Sequence, residues 1–203
     1  MLLIAAAVMV AALVDSQLLV PPYLEHRAEK RLAAHGGRAT VSIDALPAAR
    51  LLFDDGDKIK VRGDGLHVNL FTPSSGVFNE LDRFDRADVR LTRMTAGPFA
   101  VNRVTLLRSS SSKPYAFSLK ASVTARALSD YAGTQLGGDL GGFLGRLGSG
   151  LIPFSAEPIP VEVQAAIRSR GGRPQLQSVH GSVAGLPAGP LASALAAAIA
   201  DRF

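Results

Sequence analysis

Residues 115–124 alternate without a slip. Phe117, Leu119, Ala121 and Val123 are apolar, and Ser118, Lys120, Ser122 and Thr124 between them are polar. A period of two sends successive side chains to opposite faces of an extended strand, so this segment belongs to a sheet with one dry and one wet face. The same signature recurs over Ala87–Thr95, Pro98–Leu107, Ile159–Arg168 and Gln175–Val183. In Pro98–Leu107, Phe99 and Val101 give way to Val104 and Leu106, a slip of one residue that predicts a β-bulge near Asn102-Arg103. Polar residues from Ser109 to Ser112, followed by Lys113-Pro114, make a hairpin tip.

Towards the N-terminus, Val41 and Ile43 alternate with Ser42 and Asp44. A Pro47 corner follows, then the apolar run Leu51-Leu52-Phe53 and a turn at Asp55-Gly56. Ile59/Val61 and Leu66/Val68/Leu70 then read as the two arms of a hairpin. Pro21-Pro22 opens a helix at positions where proline is tolerated, and Gly36-Gly37 closes it. Leu24, Ala28 and Leu32 form its apolar stripe, with Glu25, Arg27, Glu29 and Lys30 elsewhere. Two further helices are expected, at Ala125–Ala132 and at Pro187–Phe203, where Leu191, Leu195, Ala198 and Ile199 share a face. The expected total is about eight strands and three helices without a strand–helix–strand rhythm. That pattern defines an α+β protein, with helices packed on one face of a curved antiparallel sheet.

Residues 1–14, MLLIAAAVMVAALV, are uninterruptedly apolar. As a helix they span about 21 Å at 1.5 Å per residue, short of the ~30 Å hydrocarbon core of a bilayer. This reads as a signal-peptide hydrophobic region, or as an anchor extended by Leu18-Leu19-Val20. The expected division is therefore a leader at 1–20 and a single domain at 21–203, placed outside the cytoplasm in the cell envelope. Apolar residues make up 47% of the chain against 19% charged, and the surplus persists beyond the leader. It serves either a large core or an internal surface that meets apolar ligand.

Cysteine is absent, which removes disulfides, thiolate metal sites and cysteine nucleophiles together. Net charge is +5, a balance that suits anionic lipid head groups as well as nucleic acid. The basic residues are scattered on alternate strand positions, as in Lys58/Lys60/Arg62 and Arg83/Arg86/Arg90/Arg93, and no recognition helix gathers them. Nucleic acid is not the expected partner. His26, His35, His67 and His180 have no ligand spacing, no nucleophile elbow frames a serine, and Asp54-Asp55-Gly56-Asp57 lacks the terminal glutamate of a calcium loop. No cofactor, metal or catalytic activity is expected.

Glycine-rich residues 133–150 carry Leu136, Leu140, Phe143, Leu144 and Leu147 at helical spacing. Each glycine costs a helix about 1 kcal/mol relative to alanine. The segment is either a loop with leucines tucked on the core or a mobile apolar lid of Leu140, Phe143, Leu144 and Leu147.

The order of strand, Leu-Pro corner, apolar turn, glycine turn and "IKV…GLHV" across Thr40–Leu70 resembles the LmeA-like family of actinobacterial phospholipid-binding envelope proteins. The resemblance implies an elongated, tubular-lipid-binding-like architecture with a phospholipid or other acyl lipid as ligand and an anionic membrane surface as partner. Under it, Val41, Ile43, Ile59, Val61, Val68, Phe117, Leu119, Val161, Val163 and Ile167 line one apolar lipid-binding face. The alternative is a non-catalytic envelope scaffold in which the same face is a solid core.

Overall fold

A computed structural model of the chain describes residues 21–30, 32–53, 55–68, 76–97, 99–124, 127 and 157–187. The expected leader, the lid segment, the Ala125–Ala132 helix apart from Ala127, and all of Pro187–Phe203 after its first residue lie outside them.

The described chain builds one open sheet. Helix α1 covers residues 21–30 and ends in a 3-10 turn at Ala33–His35. Strands β1 (Arg38–Asp44), β2 (Gly56–Asp64) and the two-residue β3 (His67–Val68) come next, with a 3-10 turn at Ala48–Phe53 between the first two. The short helix α2 (Val77–Asp82) leads into β4 (Phe84–Ala96), β5 (Phe99–Arg108) and β6 (Tyr115–Val123). Finally come β7 (Ile159–Arg170), β8 (Arg173–Val183) and the two-residue β9 (Leu186–Pro187). The spatial order is β1-β2-β4-β5-β6-β7-β8-β9, with β3 beside β4. From β4 onward each strand pairs antiparallel with the next, as the alternation requires. The bulge falls between Val101 and Arg103 in β5, at the slip seen in the sequence.

The sheet is mixed rather than antiparallel. β2 and β4 run parallel, and β3 continues the same pairing. The expected hairpin of Ile59/Val61 with Leu66/Val68/Leu70 does not form. Asp64 pairs with Thr92 and His67 with Thr95, so the register is unbroken across Gly65 and the two segments are one interrupted strand. A parallel return needs a crossover, and α2 lies on it, giving one strand–helix–strand unit that periodicity alone did not show. Gly63, which read as part of a turn, instead occupies an inward position. A Cβ there would come within 2.7 Å of side-chain carbons of both Leu66 and Leu91.

The inward positions form one buried cluster from Val41 on β1 to Val183 on β8, onto which α1 contributes Leu24 and Ala28 and α2 contributes Phe78 and Leu81. Leu32, expected on the α1 stripe, is 39% exposed. Two glutamates off the apolar stripe of α1 have a specific role. Val41 N–H donates to Glu29 Oε1 at 2.9 Å and Ile43 N–H to Glu25 Oε1 at 2.7 Å. β1 is an edge strand, and its outward amides would otherwise be a template for another chain. Spacing of i and i+4 on the helix matches i and i+2 on the strand, so α1 runs antiparallel along the edge and closes it. The Gly36-Gly37 turn makes this possible. Gly37 has φ +83°, and a Cβ there would sit 2.6 Å from the Gly65 backbone. The double variant Glu25→Ala, Glu29→Ala is expected to cost about 1–3 kcal/mol and to promote self-association. Thermal melting with size-exclusion chromatography checks this, and an unchanged elution volume with an unchanged melting temperature would refute the edge-guard role.

Candidate functional site

Every described side chain expected on the apolar face is buried and on one side of the sheet. Val41, Ile43, Ile59, Val61, Phe117, Leu119, Val161, Val163 and Ile167 are each 8% exposed or less. Val41 is opposite Val61 and Ile43 opposite Ile59 at one edge, while Leu119 is opposite Val163 and Ala121 opposite Val161 towards the other. Val68 sits on β3 opposite Ala96. The parallel β2–β4 pair joins these groups by setting Ile59 beside Ala87 and Val61 beside Val89. The lid residues Leu140, Phe143, Leu144 and Leu147 lie outside the described residues.

At one end of this face a polar cluster is locked between α2 and the strand ends. Arg108 is 7% exposed and donates from Nη1 to Asp82 Oδ1 at 2.8 Å and from Nη2 to the Leu81 carbonyl at 3.0 Å, with a further bond to the Phe84 carbonyl. Its guanidinium lies 4.5 Å from the centroid of Tyr115, whose hydroxyl donates to the same Asp82 oxygen at 2.8 Å. Ser169 donates to the other Asp82 oxygen, and Phe78 meets Tyr115 edge-on at 5.2 Å. Burial, and then the bond to Asp82, push the Tyr115 hydroxyl well above the usual phenol range. Asp82 thus carries three donors from β5, β6 and β7 and fastens α2 to all of them.

At the same end of the sheet, the corner from β1 to β2 is also fastened by one arginine. Arg50 bridges Asp55 at 2.8 Å and Asp57 at 2.7 Å, and Asp57 accepts the Leu46 N–H at 2.8 Å. The Leu46 amide and then Arg50 hold the Asp57 carboxyl below the usual range. Of the aspartates weighed as a calcium loop, Asp55 and Asp57 are occupied by this guanidinium, and Asp54 lies outside the described residues. The corner presents Leu46 at 76% and Phe53 at 82% exposure, beside the start of α1, where Tyr23 is 67% exposed.

On the outer face, a groove of about 550 Å³ opens over β1, β2, β4 and β5. Arg38, Arg62, Arg90 and Arg103 line it, with Thr40, Asp64, Thr92 and Thr105. Basic residues on alternate positions of β2 and β4 were visible in the sequence. Arg38 and Arg103 were not associated with them, because their convergence depends on the parallel pairing. No cluster of three or more metal-binding side chains is found among the described residues, and no helix among them is long and apolar enough to cross a membrane.

Neither protein-family models, nor curated proteins, nor solved structures match this chain.

Proposed function

We propose that the chain is a non-catalytic lipid-binding protein of the cell envelope, of the LmeA-like kind, which keeps the acyl chains of a phospholipid against its apolar face. In this reading residues 1–20 direct it out of the cytoplasm or tether it, and the curved sheet wraps the lipid along its length. The observation that carries the reading is the continuity of the apolar face, from Val41 on β1 to Val183 on β8. Among the described residues, helices meet this broad face with few large side chains, chiefly Phe78 and Leu81 from α2 and Leu24 from α1.

Mass spectrometry of lipid extracted from the purified protein tests the reading directly. A phospholipid near equimolar with protein is expected. Recovery no greater than from an unrelated protein purified in parallel would reject it.

A second reading has its own support. The low exposure of every described lining residue fits a solid core, and the exposed Leu46 and Phe53 corner would then be the contact surface of an envelope scaffold. The corner also separates the readings. The chain has no tryptophan, so Phe53→Trp supplies a single reporter. With phosphatidylglycerol vesicles its emission should shift to the blue as the ring leaves water, and added salt should weaken the effect. Unchanged emission at saturating lipid would exclude the membrane as partner of this corner.

A further inference from the structure

On the outer face of the sheet, away from the apolar face, the groove lined by four arginines contains more cationic side chains than the fold uses. Two register rows cross it. One runs Thr40, Arg62, Arg90, Thr105 and the other Arg38, Asp64, Thr92, Arg103, each over β1, β2, β4 and β5. Like charges directly opposite one another are unfavourable in a sheet, yet Arg62 and Arg90 are neighbours. They share Asp88, Arg62 at 2.9 Å and Arg90 at 3.0 Å. Burial works against ionisation of Asp88, but the Arg62 bond, with the charges of Arg62 and Arg90, outweighs it and keeps the carboxyl below the usual range. Asp64, the carboxylate in the groove, accepts from Arg93 Nε at 2.7 Å and from Thr92 Oγ1 at 2.8 Å. The two carboxylates are therefore already engaged. Arg38 and Arg103 make no hydrogen bond or ion pair with any described residue, although Arg38 lies opposite Asp64 and adds to the field on it.

We propose that this groove binds a phosphate-bearing anion, with Arg38 and Arg103 as the guanidiniums that grip it and Arg62 and Arg90 as the floor. Guanidinium matches phosphate oxygens in a bidentate fork, and the threonines at positions 40 and 105 add hydroxyls along the rows. Arg38 and Arg103 stand three strand spacings apart, about 14 Å between Cα atoms, a gap that two long side chains bridge around one or two phosphate groups. The phosphate could belong to a free anion or to a lipid head group. This site stands apart from the acyl-lipid reading, because it uses the other face of the sheet.

The test pairs two charge-matched double variants, Arg38→Gln with Arg103→Gln in the groove and Arg168→Gln with Arg173→Gln on the exposed β7–β8 end. Inorganic pyrophosphate is titrated into each by calorimetry, and phosphatidylglycerol vesicles are sedimented with each, with and without pyrophosphate. The proposal expects at least a ten-fold loss of pyrophosphate affinity in the groove variant and none in the control. Vesicle binding that pyrophosphate displaces and the groove variant loses would identify a head group as the source, while pyrophosphate binding without vesicle binding would identify a free anion. Equal losses in the two variants, or no pyrophosphate binding by the parent protein, would overturn the site. Should the groove double variant fail to fold, Arg103→Gln alone makes the same comparison, since its side chain bonds to no described residue.

Discussion

Asp82→Ala is expected to destabilise the protein by about 3–5 kcal/mol, because it leaves the buried Arg108 charge without its carboxylate. For a domain of this size that is a fall in melting temperature of roughly 6–20 °C. The reverse substitution should be milder. Arg108→Met leaves Asp82, which is 24% exposed at its side chain and keeps the hydroxyls of Tyr115 and Ser169 as donors. The double variant Asp82→Leu, Arg108→Met should recover part of the loss, since it removes the uncompensated charge but still leaves the hydroxyls of Tyr115 and Ser169 without their acceptor. Melting temperatures of the three variants decide the matter. Equal losses in the two single variants would show that packing around the ring of Tyr115, rather than the uncompensated charge, holds α2 in place.

Leu119→Ser carries the second large effect. Leu119 is 5% exposed and lies between Val104 on β5 and Val163 on β7. Truncating such a leucine costs about 2–5 kcal/mol, and a buried hydroxyl without a partner adds about 1–3 kcal/mol more. The loss in stability alone does not separate a lipid face from a core, so the measurement is made twice, before and after delipidation. A ligand bound only to the native state raises stability by mass action. The parent protein should therefore melt lower once delipidated, and Leu119→Ser should lack that lipid-dependent increment. An identical melting temperature of the parent protein in both states, with no acyl lipid extracted, would leave a solid core as the sole account of this face.

Strand content was legible because a half-buried strand writes its two faces directly into its sequence. Tyr115–Val123 and the β5 bulge are read from alternation and its single slip. Strand neighbours are another matter. Arg62-Gly63-Asp64-Gly65 has the composition of a turn, yet Gly63 is there to admit Leu66 and Leu91, and the chain runs straight on. Periodicity records which face a residue takes and not which strand lies beside it. The apolar face could be named residue by residue for that reason, whereas the arginine groove, which needs β2 beside β4, could not. The tasks of Glu25 and Glu29 were equally hidden, since a carboxylate that accepts from an edge strand looks the same in a sequence as one that faces water.

The parallel β2–β4 pair also dictates how the chain assembles in time. β4, β5 and β6 follow one another by short turns, so each pairing closes a small loop. Gly56 meets Phe84 and Asp64 meets Thr92 only after 28 residues of chain have been brought round. Closing a loop of that length costs about 3 kcal/mol of chain entropy before any contact repays it. Contacts of high sequence separation form late for this reason. The β4–β5–β6 meander should gain amide protection first in pulse-labelled exchange, and the β1–β2 pair should dock onto it afterwards.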